Sequence, residues 1–241
     1  MKDHPIIEHL AWDSALFGYA VSRVRFQILP SAKDICGVRD AAKNAGCRLV
    51  YLVWPGNNPI SDPKSVGLSH CGVKAEFSQK VGSDTGILFP EPVVRCDKVN
   101  SAIRSLALES GRHSRFFLDG GFRNNEFSAL YERWIDKAFS PDGDRCFAFG
   151  REDDPDGILT LEREGDGRTL RIGLLSVHER ARRTGVGSAL VAAAIATASA
   201  EGVAQLDVAT QSENLPACRF YGKNRFTLQS EMTIAHLWID P

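Results

Sequence analysis

Ser176-Val177-His178-Glu179-Arg180-Ala181-Arg182-Arg183-Thr184-Gly185-Val186-Gly187 is the stretch that decides the fold, and the apolar run Ser188 to Ala200 follows it directly. Ahead of it, Thr169 to Val177 is rich in branched residues and predicts a strand. Behind it, Leu190, Val191, Ala194, Ile195 and Ala198 recur at helical spacing and give the helix one apolar face. The order is therefore strand, basic glycine loop, helix. Gly185 and Gly187 carry no side chain to hold a ligand off the backbone. The loop amides point outward at a helix N-terminus, where the helix dipole favours an anion. Arg180, Arg182 and Arg183 add positive charge beside them. The loop is expected to hold a diphosphate on its amides from Arg183 through Thr184, Gly185, Val186 and Gly187 to Ser188. A tight turn with solvated arginines is the competing reading of the same residues.

The next strand outward is Ala204 to Thr210, leading into Gln211-Ser212-Glu213-Asn214-Leu215-Pro216-Ala217-Cys218-Arg219-Phe220-Tyr221-Gly222-Lys223-Asn224-Arg225-Phe226. Asn214 suits a helix N-cap, with Pro216 in the first turn. Here the chain resembles the GNAT acetyltransferases. Their R-x-x-G-x-G pattern is matched by Arg182-Arg183-Thr184-Gly185-Val186-Gly187. Their N-x-x-A-x-x-F-Y pattern, followed by K-x-G-F, is matched by Asn214, Ala217, Phe220, Tyr221, Lys223 and Phe226, with Arg225 where the family has glycine. The resemblance implies acetyl-CoA as co-substrate and direct transfer of acetyl to a primary amine. It also implies that the strands Thr169–Val177 and Ala204–Thr210 splay apart around the pantetheine arm, with Leu174, Leu175, Ser176 and Val177 offering backbone amides to it. An N–H beside Leu174 or Leu175 would face the oxyanion. Tyr221 would be the general acid for the departing thiolate, against the alternative of a tyrosine that only packs its helix. Asn214 would contact the cofactor arm. Gly173 marks either a bulge or close packing in its strand.

Composition sets the outer bounds. Lysine plus arginine number 29 against 30 for aspartate plus glutamate, so no global field attracts nucleic acid or an anionic membrane. Cysteines 36, 47, 71, 96, 146 and 218 form no C-x-x-C pair or metal-spaced cluster, so no metal is expected. Reduced core thiols suit a cytoplasmic chain. Neither a leader nor a spanning segment is legible.

The first third predicts strand, helix, strand, short helix, strand over Ala20–Phe26, a helix capped by Ser31 with Asp34 and closed by Gly46, Leu49–Trp54, Pro63–His70 and Val73–Lys80. This is an α/β unit spanning 1–90, with Gly82–Pro92 as linker and 91–241 as a GNAT domain. The second part predicts Val93–Cys96, helices Val99–Ser110 and Asn125–Phe139 flanking an aromatic loop His113–Phe122, and then a meander. The meander strands are Cys146–Gly150, Ile158–Glu164 and Thr169–Val177, with turns at Asp153–Gly157 and Gly165–Gly167. Thr233–Ile239 closes a mixed, mostly antiparallel sheet.

Trp12-Asp13-Ser14-Ala15-Leu16-Phe17-Gly18, Ser114-Arg115-Phe116, Tyr131 with Trp134, and Leu237-Trp238 are similar to a GNAT branch that acetylates a dTDP-linked amino sugar. That likeness implies a nucleotide-sugar amine as acceptor. Within the acceptor-side loop it puts Arg115 on a sugar-nucleotide phosphate and Asp119 in the substrate site, with a loop-fixing ion pair as the alternative for Arg115. Tyr131 and Trp134 stack on the ligand or belong to the core. Other acceptors (peptide, protein or small-molecule amines), a non-catalytic acetyl-CoA-binding module and a homodimer stay open, and no general base is named.

Overall fold

The computed structural model describes residues 6–82, 89–140, 145–165 and 167–239. Most of the linker expected at Gly82–Pro92, and the middle of the turn at Gly165–Gly167, lie outside the described residues.

The consecutive apolar residues of β3 (Leu49–Pro55) are explained by burial on both faces. Leu49, Tyr51 and Val53 enter one core and Val50, Leu52 and Trp54 another. The second of these cores is roofed by α2 (Ala32–Asn44), through Ile35, Val38 and Ala42. Ser31 and Asp34 form the reciprocal cap expected of them, a feature typically worth about 1 kcal/mol. Ahead of these stand β1 (Glu8–His9), α1 (Ala11–Phe17) and β2 (Val21–Arg25).

After β3 come β4 (His70–Lys80) and β5 (Val93–Arg95), then α3 (Ser101–Ser110), the short α4 (Arg115–Leu118) and α5 (Glu126–Lys137). The meander is β6 (Arg145–Arg151), β7 (Asp154–Arg163) and β8 (Thr169–Val177). Then follow α6 (Val186–Ala200), β9 (Gln205–Gln211), α7 (Leu215–Lys223) and β10 (Thr227–Trp238). Along α6 the buried residues are mostly alanine, which lets the helix lie close on the sheet, while fully buried Leu190 and Val191 each add roughly 1.5–3 kcal/mol.

Ten strands form one mixed sheet in the order β1-β2-β3-β10-β4-β9-β8-β7-β6-β5. β2 with β3 and β8 with β9 are parallel, and every other pair is antiparallel. Strands from both sides of the boundary expected near residue 90 share this sheet, because β10 pairs with β3 on one edge and β4 on the other.

Local expectations change at several points. The helix expected over Pro63–His70 is a single 3-10 turn at Pro63–Val66, and β4 already begins at His70 instead of Val73. The aromatic loop contains α4, which Ser114 caps by accepting the Phe117 N–H at 3.3 Å. The turn placed at Asp153–Gly157 moves back to Glu152 and Asp153, since Arg151 already opposes Asp154 and a register shift at Phe149/Gly150 carries the chain round. β10 starts at Thr227 instead of Thr233. Among the described residues no helix is long and apolar enough to cross a membrane.

Candidate active site

β8 and β9 pair from Thr169↔Gln205 to Ile172↔Val208 and then separate, although β8 continues to Val177 and β9 to Gln211. The cause lies in β8. Its register with β7 shifts between Leu159 and Leu161, which face Leu175 and Ile172. Ile172 packs in the core under α6, whereas Leu174, two residues on, packs in the core under α3 and α5. A regular strand keeps such residues on one face, so Gly173 sits in a bulge. A Cβ at Gly173 would fall 2.5 Å from Glu162 Oε1 and 2.9 Å from Thr160 Oγ1.

The separation opens a cleft of about 730 Å³. Leu174, Leu175, Ser176 and Val177 line it, but their amides are not equivalent. The Leu174 N–H donates to Thr160 Oγ1 at 2.8 Å. The His178 N–H donates to the Asp156 carbonyl at 2.8 Å, and the antiparallel alternation then points Ser176 at β7 as well. Leu175 and Val177 turn their amides into the cleft. The Val177 carbonyl on that side accepts Arg182 Nε at 3.2 Å.

At the cleft mouth α6 begins without a side-chain cap and without an acidic residue in its first turn. Arg183 at φ 67° and Gly185 at φ 98° bend the loop into the helix. The first orphan donors of the helix are thus left for an anion. Arg183, Gly185, Gly187 and Ser188 line the cleft. Thr184 instead donates its hydroxyl to the Ala181 carbonyl at 2.7 Å, and the Val186 side chain is buried in the core.

The two glycines differ. Gly185 is needed for its backbone angle and has open space around it, whereas a Cβ at Gly187 would meet the Phe220 ring at 3.0 Å. The arginines differ too. Arg180 is held by Asp154 and Asp156, and Arg182 by Glu109 at 3.1 Å, which leaves Arg183 as the loop arginine for which the structure gives no ion pair among the described residues.

Asn214 caps α7, accepting the Ala217 N–H at 3.2 Å, and also lines the cleft. The helix it starts brings Tyr221 to the cleft wall, with its ring against Phe77, Phe220 and Phe226 at centroid distances of 5.9, 5.3 and 5.6 Å. Burial pushes the phenol well above its ordinary value, so it carries its proton at neutral pH. Tyr131 and Trp134 also line the cleft and pack edge to face at 4.9 Å, within the core beneath α3 and α5.

Arg115 and Asp119 do not line the cleft. Asp119 is buried. Its Oδ2 accepts from His236 Nδ1 at 2.6 Å and Trp238 Nε1 at 2.9 Å, and its Oδ1 accepts the Gly121 N–H at 2.9 Å. Burial alone would raise its pKa, but these donors outweigh it and hold the carboxyl below the usual range. Burial lowers His236 to about 3, so the ring is neutral and its contact with Asp119 is a hydrogen bond rather than an ion pair. With Nδ1–H given to Asp119, Nε2 accepts from Arg115 Nη1 at 2.7 Å. The Arg115 guanidinium lies 4.1 Å from the Tyr51 ring centroid and 4.2 Å from that of Phe116. Both residues therefore tie α4 to β10 through His236, a residue the sequence reading missed because a lone histidine in a closing strand carries no spacing signal.

Two splayed parallel strands, a bulge that frees alternate amides and an uncapped helix at the mouth together make a long cleft with unpaired backbone donors along one wall and at one end. Residues 111–226, just under half of the chain, match the model of the Acetyltransferase (GNAT) family. No curated protein matches the sequence.

Among solved structures, a conserved protein of unknown function from Staphylococcus epidermidis ATCC 12228 is 14% identical, with a TM-score of 0.71 over 100% of this chain and 93% of that one. A GCN5-related N-acetyltransferase from Sphaerobacter thermophilus is 12% identical, with a TM-score of 0.56 over 98% and 76%. A tandem GNAT protein from the clavulanic acid biosynthesis pathway is 14% identical, with a TM-score of 0.54 over 93% and 77%. At these identities the likeness is one of fold.

Proposed function

We propose that the protein transfers acetyl from acetyl-CoA to a primary amine by direct attack, without an acyl-enzyme. The observation that carries this reading is the wedge between β8 and β9, with the uncapped start of α6 at its mouth and Tyr221 on its wall. The residues fit coenzyme A: amides from Arg183 to Ser188 suit its diphosphate, and the Leu175 and Val177 backbones suit its amide-bearing arm. Leu175 is the strand donor turned toward a developing oxyanion, since the Leu174 N–H is taken by Thr160. The neutral amine attacks the thioester carbon to form the carbon–nitrogen bond. As the tetrahedral intermediate collapses and the carbon–sulfur bond breaks, Tyr221 gives its proton to the departing thiolate, the proton shed by the nitrogen passing to solvent or back to the phenolate. Holding both reactants in one cleft removes much of the entropic barrier. A protonated phenol on the wall also speaks for turnover against a module that only binds acetyl-CoA.

The acceptor suggested by the sequence, a nucleotide-linked amino sugar, calls for a cation to hold its diphosphate. Arg115 is engaged with His236, and Arg112 and Arg182 both lie on Glu109. Arg183 is assigned to the diphosphate of coenzyme A, which among the described residues leaves Lys223 as the cleft cation free for a phosphate of the acceptor, one charge where a nucleotide-sugar diphosphate calls for more. The test is free-thiol release from acetyl-CoA against amino-sugar nucleotides, peptides and polyamines. Saturable release with at least one amine is expected, and no release above hydrolysis with every class would overturn the reading.

A further inference from the structure

A second hollow, of about 150 Å³, adjoins the main cleft and shares His113, Gln211 and Asn214 with it. That is room for ~5 waters or one small functional group. Its other walls are His70, Cys71 and Gly72 at the start of β4, Leu118 at the end of α4, and Glu213. It lies where β9 ends, at the side of the wedge that leads to α7 and Tyr221.

Two observations give this hollow a chemistry. Among the described residues His70 Nε2 is buried and has no hydrogen-bond partner, so it is an acceptor open to a donor placed in the hollow beside it, a water in the empty site and a ligand N–H in the filled one. Gly72 makes the space, because a Cβ there would fall 2.9 Å from that nitrogen. The second observation is charge. Neither lysine nor arginine lines the hollow, and Glu213 is its one carboxylate, positioned by the Val73 N–H that donates to Oε1 at 3.1 Å. Burial lowers the His70 pKa, so the ring is neutral and offers a lone pair at neutral pH.

We infer that this hollow is part of the acceptor site and that it takes the non-reacting ammonium end of a small diamine, with His70 Nε2 and Glu213 as hydrogen-bond acceptors, while the other nitrogen, neutral, reaches the thioester in the main cleft. The inference rests on the acetyl-transfer reading and names its substrate class. Leu118, 58% exposed at the rim, suits an acceptor with an aliphatic stem behind the charged end. A phosphate-bearing acceptor would set its anion against Glu213, with neither lysine nor arginine among the described residues that line the hollow.

The experiment uses the full chain, acetyl-CoA, and two probes: 1,4-diaminobutane and a 1-phosphorylated amino sugar. Glu213→Gln keeps the oxygen that accepts from Val73 and removes only the charge. Its KM for 1,4-diaminobutane is expected to rise about ten- to a hundredfold, the loss of one charge-assisted hydrogen bond, with KM for acetyl-CoA unchanged. Gly72→Ala, which crowds His70 without touching Glu213, should raise the same KM. Unaltered KM for the diamine in both variants, or preferred turnover of the sugar phosphate that Glu213→Gln leaves unchanged, would overturn the subsite. Failure of the wild-type chain to bind acetyl-CoA by calorimetry would instead overturn the acetyl-transfer reading on which it stands.

Discussion

Tyr221 and His236 are both buried rings with displaced proton affinities, and their surroundings give them opposite tasks. Tyr221 is wrapped by phenylalanines yet reaches the cleft, so in the reaction we propose its proton is the one at hand for a departing thiolate. Tyr221→Phe should lower kcat by about 10²–10⁴ and leave acetyl-CoA affinity and melting temperature nearly unchanged. Turnover within twofold of wild type, with a saturating acceptor, would make the tyrosine a packing residue.

His236 is enclosed by Asp119 on one side and Arg115 and His70 on the other. Its pKa falls from 6.5 to about 3 on folding, so the unfolded chain binds a proton that the folded chain refuses. The stability this provides is complete above pH 6.5 and is lost as pH falls from there toward 3, and Asp119, also depressed, adds its own loss below 3.8. Melting temperature should therefore fall between pH 7.5 and 4.5, and His236→Gln, less stable at pH 7.5, should show a shallower fall. Parallel slopes for the two proteins would remove His236 from the acid response. Sequence patterns put Tyr221 among the candidates because its helix repeats a family spacing; they hid His236 and left Arg115 open between a phosphate contact and a loop-fixing one, because the network it belongs to joins α4 to β10 across 121 residues.

At the scale of elements, most of the site was legible in the order strand, glycine loop, helix. Local chemistry fixes it: branched residues in β8, Gly185 at positive φ, alanines along α6. What local pattern could not show is which of four neighbouring amides faces the wedge. That depends on the bulge at Gly173 and its partner Thr160 on another strand. The start of β10 was hidden for a related reason. Thr227-Leu228-Gln229-Ser230-Glu231 is polar, with Leu228 half exposed, and its pairing with β4 makes it a strand despite that pattern. The glycines of the loop give a test at this scale. Gly185→Ala strains a left-handed backbone angle by about 1 kcal/mol or more and should weaken coenzyme A binding through the loop amides. Gly187→Ala presses on Phe220, the neighbour of Tyr221, and should lower both kcat and melting temperature. Calorimetry and turnover on the two variants would separate these effects. Identical losses of affinity and rate would mean that both glycines act only as backbone at the anion site.

At the scale of the whole molecule, the sequence suggested two units meeting near residue 90, and the sheet runs across that point. β4 lies between β9 and β10, so the strand that completes the half of the sheet bearing the cleft comes from the N-terminal side of the chain. Phe77 on β4 packs on Tyr221, and Ala75 and Phe77 belong to the core under α6 and α7. A fragment spanning 91–241 would keep both glycine and tyrosine patterns yet leave β9 and β10 with unpaired edges and α7 above a missing strand. Long-range pairing of this kind leaves no local periodicity, which is why the boundary looked natural in the sequence. The fragment is expected to lack a cooperative thermal transition, to aggregate through its open edges and to bind coenzyme A far more weakly than the full chain. Circular dichroism on heating and calorimetry with coenzyme A check this directly. A fragment that melts cooperatively and binds with full affinity would show that β4 is an accessory strand and that the first 90 residues form a separable unit.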